Sequence, residues 1–135
     1  MISFLFEINY KLSKRKKIKE WLCSIAQEEG STIEQLSFLL VNDKKMLNYN
    51  KKYLNHNYYT DIITFNNSEN TKISGDVIIS LERVMENANK FDVSIEEELR
   101  RVMVHGLLHL LGYDDKNKKE LKKIREKENH YLKKF

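Results

Sequence analysis

Short runs of apolar and β-branched residues mark four strands along the chain. Residues 2–9 alternate between apolar and polar positions, and residues 36–42 (LSFLLVN) form an apolar run that fits a buried strand. Two β-branched runs follow, at residues 61–66 (DIITFN) and 74–80 (SGDVIIS), with a polar loop between them. Such runs on either side of polar turn residues are typical of paired strands. The pattern therefore predicts a mixed sheet of about four strands.

Between these runs the apolar residues recur at the spacing of amphipathic helices. Four polar residues are placed to cap helices that begin directly after them: Ser13, Asp43, Ser80 and Ser94. Glu97 gives Ser94 the pattern of a capping box, and Gly30 is placed to end the first helix. A last, highly charged helix is expected over about residues 117–132. Residues 1–135 are thus predicted to form a single α+β domain with four to five helices.

Composition restricts the class of protein. The chain has 135 residues, 41% hydrophobic and 33% charged, which is typical of a globular domain rather than a disordered segment. A net charge of +4 permits a polyanionic partner without requiring one. One cysteine, Cys23, excludes an intramolecular disulfide, and with no secretory leader we expect a cytoplasmic protein. No apolar run is long enough to span a membrane.

Residues 102–115 read VMVHGLLHLLGYDD and contain His105 and His109, four positions apart. On a helix both side chains leave from one face, so a single metal ion can reach both. The flanking residues are apolar on nearly every face, which is typical of a buried helix, and buried imidazoles need polar partners. Hydrogen bonds to backbone or water would serve for either histidine alone. The paired spacing favours a shared metal.

Gly112 and Asp115 complete the pattern H-x-x-x-H-x-x-G-x-x-D. Glycine suits the left-handed residue that ends a helix, and in metzincin proteases a glycine at this offset returns a third ligand to the metal. Two imidazoles and one carboxylate form a known catalytic zinc set with a fourth position for water. We therefore predict one divalent metal, expected to be Zn²⁺, held by His105, His109 and Asp115. The carboxylate also favours tolerance of Mn²⁺ or Mg²⁺.

Two positions beside these ligands bear on the reaction. Zinc proteases carry a general-base glutamate directly after the first histidine, and here that position is Gly106. A metalloprotease or amidohydrolase of that mechanism would lack its base. Asp114 competes with Asp115 for the third ligand position, but the offset from Gly112 favours Asp115. Asp114 is the candidate general base, although it could instead cap the following helix.

The string HGLLHLLGYDD closely resembles the signature of the YbeY family of bacterial metal-dependent endoribonucleases, which usually reads H-G-x-L-H-L-x-G-Y-D-H. Three further stretches agree in order and spacing: Asn50 before Tyr53, TDIITF at residues 60–65 and SGDVIIS at residues 74–80. Together they cover most of the chain. The resemblance implies a hydrolase that cuts single-stranded RNA in ribosomal RNA processing, at the 3′ end of 16S RNA, and in ribosome quality control. The implied partners are ribosomal RNA and the small ribosomal subunit or its proteins.

The resemblance also implies a zinc ion on three side chains, with His105 and His109 matching the first two ligands. Asp115 stands where the family usually has a third histidine, which affects the identity of the metal more than its presence. The family commonly has an arginine after the Tyr53 position, a natural phosphate contact, and this chain has Leu54 there. Four residues are candidates to replace it: Lys51, Lys52, His56 and Arg83.

Residues 51–59 (KKYLNHNYY) mix cations, amides and aromatic rings, a composition that suits single-stranded nucleic acid. The same residues could instead be a helix end and a loop whose tyrosines cover the core. A basic run begins directly after Asp115. The RNA contacts predicted from these two segments are Lys51, Lys52, His56 and Lys116. Without the family arginine, a non-catalytic ribosome-binding factor with a structural metal is the alternative function.

Overall fold

In the computed structural model of this chain, residues 1–54 and 60–135 are described, Leu54 by its backbone alone. The described residues form four strands and five helices in the following order: β1 (Ile2–Phe6), α1 (Arg15–Glu28), β2 (Thr32–Val41), α2 (Asp43–Leu54), β3 (Ile62–Asn66), β4 (Lys72–Ser80), α3 (Leu81–Phe91), α4 (Ile95–Leu110) and α5 (Lys118–Leu132).

The four strands form one mixed sheet in the order β1-β2-β4-β3. β1 pairs with β2 and β2 with β4 in parallel, whereas β3 and β4 form an antiparallel pair. The predicted α+β class, with a mixed sheet of about four strands, is therefore confirmed. β2 begins at Thr32, four residues before the predicted apolar run, because the polar residues at its start pair with β4 from Lys72 onward.

Both faces of the sheet are covered by helices. Along β4, Val77 and Ile79 belong to the larger core, which contains residues of α1, α4 and α5. Ile78, between them, faces the opposite side and packs with Met46 of α2. Successive side chains of a strand point to opposite faces, so a strand buried on both faces reads as the continuous apolar run seen here.

Two glycines allow α4 to lie very close to the sheet. A Cβ added at Gly106 would come within 2.9 Å of Val77 Cγ1 and 3.1 Å of Ile62 Cδ1. A Cβ at Gly75 of β4 would come within 2.9 Å of Leu110 Cδ2 at the end of α4. Both distances are shorter than ordinary van der Waals contacts, so the absence of side chains at these positions brings the C-terminal half of α4 against β3 and β4.

The predicted caps of α3 and α4 are confirmed, because the side chains of Ser80 and Ser94 accept hydrogen bonds from backbone N–H groups three residues on. The predicted cap of α1 is wrong. That helix begins at Arg15, and the preceding Lys14 has φ 58° and no side-chain cap. Asp43 is the first residue of α2, and the Asn42 side chain accepts the Lys45 N–H at 2.8 Å instead. In residues 1–54 and 60–135, none of the helices has the length and apolar character needed to cross a bilayer.

Candidate metal centre and its cleft

His105 and His109 lie on the last two turns of α4 and their imidazoles converge. The two Nε2 atoms are 3.0 Å apart. Only 13% of the His105 side chain and 20% of the His109 side chain are exposed. Residues four apart on a helix point in the same direction, which brings the two rings together. The buried surroundings of α4 hold both rings in this arrangement.

The chain turns back toward these histidines directly after α4. Gly112 has φ +107°, its N–H donates to the His109 carbonyl at 3.1 Å, and the Tyr113 N–H donates to the Leu108 carbonyl at 3.0 Å. This pair of bonds is the Schellman ending, which requires a left-handed residue and therefore favours glycine. The turn places Asp115 Oδ2 at 3.3 Å from His105 Nε2 and 3.4 Å from His109 Nε2.

The three atoms fit the coordination sphere of a divalent metal. They form a triangle with edges of 3.0, 3.3 and 3.4 Å. Tetrahedral Zn²⁺ with ligand bonds of about 2.0–2.1 Å holds its ligand atoms about 3.3 Å from one another. His105, His109 and Asp115 could therefore hold one metal ion. The Asp115 side chain is 38% exposed, so the metal would face solvent on that side.

A buried carboxylate that the sequence interpretation missed orients the first histidine. Glu128 of α5 has no exposed surface, and its Oε2 lies 2.6 Å from His105 Nδ1. Its Oε1 accepts from Arg101 at 3.0 Å and from Arg125 at 2.9 Å. Burial alone raises the pKa of Glu128, but the His105 hydrogen bond and the Arg125 charge outweigh burial and lower it. An ionised Glu128 accepts the Nδ1 proton and leaves Nε2 free to bind metal.

The sequence carried a signal for Glu128. Ile124 and Tyr131 are apolar positions of the last, highly charged helix, and Glu128 lies between them, four residues after one and three before the other. It therefore shares their buried face. A carboxylate on a buried stripe needs a cationic or hydrogen-bonding partner. Arg101 was missed for a different reason, because its partner lies 27 positions further along the chain.

The candidate ligands lie at one end of a cleft of about 750 Å³. Its lining includes α4, the start of β3 and the segment that ends α3, with Arg125 contributed by α5. Arg101 and Arg125 are the basic side chains among the described lining residues, with 30% and 53% of their surfaces exposed. The centre thus opens into a space large enough for part of a polymeric substrate.

The predicted general base lies beside the centre. Asp114 Oδ1 accepts the Asp115 N–H at 2.9 Å, and its Oδ2 lies 3.6 Å from Lys116 Nζ. The Asp115 N–H is the main cause that lowers the Asp114 pKa, with the Lys116 charge adding to it. A carboxylate with a lowered pKa is a weaker base. Asp114 supports the turn that positions Asp115, and its role as base stays a prediction.

The predicted RNA contacts are spread over the surface. Lys51 and Lys52 are exposed on α2, and Lys52 lines a separate cavity of about 220 Å³. Lys116 is 81% exposed next to Asp115, and His56 lies outside the described residues. Arg83, a candidate to replace the family arginine, binds Asp43 at 3.1 Å. Their contacts with RNA stay predictions.

Comparison with known proteins agrees with this architecture. Residues 6–135 match the family model described as Endoribonuclease YbeY. The curated Endoribonuclease YbeY of Cytophaga hutchinsonii is 45% identical over 130 residues, which cover 96% of this chain and 91% of that protein. That of Karelsulcia muelleri is 39% identical over 98% of this chain and 94% of its own.

A solved structure shares the fold. The solution structure of TM1509 from Thermotoga maritima superposes with a TM-score of 0.72 at 31% sequence identity, covering 98% of this chain and 87% of that one. The family model, these relatives and this structure match nearly the whole chain, and the histidine string that first suggested the resemblance lies within the matched residues. The chain therefore belongs to the Endoribonuclease YbeY family.

Proposed function

We propose that this chain is a metal-dependent endoribonuclease that cuts single-stranded RNA in the cleft beside His105, His109 and Asp115. The observation that carries the proposal is the convergence of three ligand atoms, within 3.0 to 3.4 Å of one another, at the end of an open cleft. Three protein ligands leave a coordination position for substrate or water, as catalytic zinc sites require. A structural zinc site would be closed by a fourth protein ligand.

When bound, the metal would polarise a phosphoryl oxygen and lower the pKa of water, which is the chemistry that phosphodiester hydrolysis requires. Arg101 and Arg125 would bind the phosphate. Both touch the single carboxylate of Glu128, so the group of three carries one net positive charge at the cleft wall beside His105. Guanidinium groups bind phosphate oxygens bidentately and stabilise developing negative charge. They thus offer the phosphate contact for which the arginine that the family commonly has at the position of Leu54 is a natural candidate.

The cellular role that we propose is ribosomal RNA processing, including 3′-end maturation of the small-subunit RNA, together with ribosome quality control. The small ribosomal subunit or its proteins would present the RNA. Zn²⁺ is the proposed metal, with activity retained in Mn²⁺ because Asp115 replaces a histidine with a harder oxygen ligand. Family membership supports these proposals, and the basic side chains of the cleft suit a polyanion.

A peptidase is disfavoured by the position of Gly106. In the zinc proteases that position carries the general-base glutamate. In this chain Gly106 faces Val77 and Ile62, and even a Cβ atom added there would lie within 3.1 Å of both side chains. A glutamate would therefore have to displace α4 from the sheet before it could act.

The test combines metal analysis with RNA cleavage in the wild type and in His109→Ala. We expect about one divalent metal per wild-type chain, cleavage of single-stranded but not duplex RNA, and loss of both metal and cleavage in the variant. His130→Ala is the matched control, because His130 is exposed on α5 and pairs with Glu28.

Three outcomes would overturn parts of the proposal. If His109→Ala keeps the metal, the ligand set is wrong. If it loses the metal and cleaves as before, the mechanism is wrong. If the wild type holds metal, binds ribosomal RNA and cleaves none, the chain is a non-catalytic ribosome factor.

A further inference from the structure

The cleft extends along α4 well beyond the metal ligands. Glu98 and His105 lie seven residues apart on the same stripe of that helix, and both line the cleft. Seven residues correspond to about 10 Å along a helix axis. The Glu98 end, which we call the distal subsite, is therefore far enough from the metal to hold a nucleotide next to the one that is cut.

The carboxylate of Glu98 lacks a direct partner in this subsite. The residue is 6% exposed and lines the cleft. Within residues 1–54 and 60–135, nothing donates a hydrogen bond to it or forms an ion pair with it, and Arg101 acts on it only through its charge. Burial is the main cause that raises its pKa. Among the described residues, its oxygens are not fully buried atoms without a partner, so water in the cleft reaches them. A ligand that brings a matching pair of N–H groups would replace this water with direct hydrogen bonds to the carboxylate.

An aromatic ring faces the same space. Phe91, the last residue of α3, is 59% exposed although it is large and apolar, and it lines the cleft together with Glu98. α3 ends there because Asp92 adopts φ 55°. Exposed rings in grooves of RNA-binding proteins stack on unpaired bases. Asp61 and Glu97 also line this end, and their charges would repel a phosphate more than an uncharged base.

Resting on the proposed function, we propose that the distal subsite binds a guanine base of single-stranded RNA, with Phe91 stacking on the base and Glu98 accepting its N1–H and N2–H groups. An ionised carboxylate only accepts hydrogen bonds, and it accepts two from adjacent parallel donors. Guanine offers two such donors on its Watson–Crick edge. Adenine, cytosine and uracil each offer one donor beside an acceptor. That edge is free only in single strands, which gives the subsite a physical basis for excluding duplex RNA.

The test measures base preference in short RNA. Fluorescent uridine heptamers, each carrying guanine, adenine or cytosine at the central position, are titrated with metal-loaded protein, and binding is read only within the reaction time over which gels show that the RNA is still uncut. We expect the guanine heptamer to bind at least about 5-fold more tightly than the others, as one bidentate base contact allows. In cleavage assays, moving the guanine along the chain should move the cut by the same number of nucleotides.

Glu98→Gln gives the sharpest variant. Its amide offers one donor and one acceptor, so it cannot accept both the N1–H and the N2–H group of guanine, and the preference for the guanine heptamer should fall to about 2-fold or less. Phe91→Ala should weaken binding of all heptamers by at least about 5-fold, and Phe91→Tyr should restore it. Glu126→Gln removes the same charge from an exposed position of α5 and should change nothing. Phe91 is exposed, so its variants report on the subsite even if Glu98→Gln does not fold.

Equal affinity of the wild type for all heptamers, or an unchanged guanine preference in Glu98→Gln, would overturn the distal subsite while cleavage of RNA continued. Absence of both binding and cleavage in the wild type would instead overturn the proposed function. Retained affinity in Phe91→Ala would remove the stacking half of the proposal.

Discussion

At the scale of single residues, Glu128 fixes the orientation of the His105 ring and determines which ring nitrogen can bind a metal. Its carboxylate contacts His105 Nδ1 at 2.6 Å and receives two arginines on the other oxygen. Ligand histidines are commonly fixed by a carboxylate in this way, and loss of the carboxylate typically weakens metal binding by about 10–100-fold. Glu128 is therefore a positioning residue that does not itself touch the metal or the substrate.

We predict that Glu128→Gln lowers Zn²⁺ affinity by about 10–100-fold without removing any ligand atom. The amide oxygen still accepts from His105 Nδ1, but the lost charge makes the imidazole a weaker donor and leaves Arg101 and Arg125 without a counter-ion. Competition with a chromophoric chelator measures the affinity, and Glu126→Gln is the exposed control. Affinity equal to that of the wild type would mean that Glu128 does not position His105.

The candidate ligands could be predicted from sequence because their geometry is local. His105, His109 and Asp115 lie within eleven consecutive residues, and helix periodicity with one glycine turn brings them together. Glu128 and Glu98 could not be assigned roles in this way. Their functions depend on how α5 and β3 pack around α4, and no local sequence pattern predicts which helix packs against the histidines.

At the scale of elements, the close packing of α4 against the sheet determines where the metal ligands lie. The sequence predicted this helix and its Ser94 cap correctly, because a polar residue before an apolar run is a local signal. The start of α1 was mispredicted, since the αL conformation of Lys14 takes the cap position without any side-chain bond. Sequence interpretation treated Gly106 as a missing base, whereas the structure gives it a packing role.

We predict that Gly106→Ala destabilises the fold by about 1–2 kcal/mol. Overpacking costs about 1–3 kcal/mol, and the better helix propensity of alanine returns up to about 1 kcal/mol. The new methyl group would lie 2.9 Å from Val77 Cγ1, so α4 or the valine must move. Urea unfolding measures the change.

A second substitution tests the cause of this destabilisation. Val77→Ala removes the methyl groups that Gly106→Ala would meet, so the double variant should lose less stability than the sum of the two single variants. Strict additivity would show that the cost of Gly106→Ala comes from elsewhere than this contact.

At the scale of the whole molecule, one carboxylate joins the end of α1 to the turn before Asp115 and to α5. Glu29 accepts from the Tyr113 hydroxyl at 2.6 Å, from Lys127 at 3.1 Å and from the Tyr131 hydroxyl. Tyr113 belongs to the turn that returns Asp115 to the histidines. Contacts between segments about 84 to 102 residues apart cannot be read from local sequence patterns, yet they connect the site to the rest of the fold.

These contacts make the free energy of unfolding depend on pH. Burial alone raises the pKa of Glu29, but the Tyr113 and Tyr131 hydrogen bonds and Lys127 outweigh burial and lower it below the ordinary value of 4.5. A carboxylate with a lowered folded-state pKa stabilises the fold above its unfolded pKa, and this contribution is lost as the pH falls through the folded-state value. Glu28 has a pKa lowered to about 2, chiefly by its hydrogen bond with Lys134, and acts in the same direction.

We therefore predict that Glu29→Gln lowers the free energy of unfolding at about pH 7 by on the order of 1 kcal/mol, and that the difference from the wild type narrows as the pH falls below about 4. Glu28 is present in both proteins, so its titration cancels in the comparison. Urea unfolding at each pH gives the difference, and Glu20→Gln, an exposed change on α1, should give none. A gap that stayed constant from neutral to acidic pH would mean that packing around Glu29, rather than its charge, holds the three segments together.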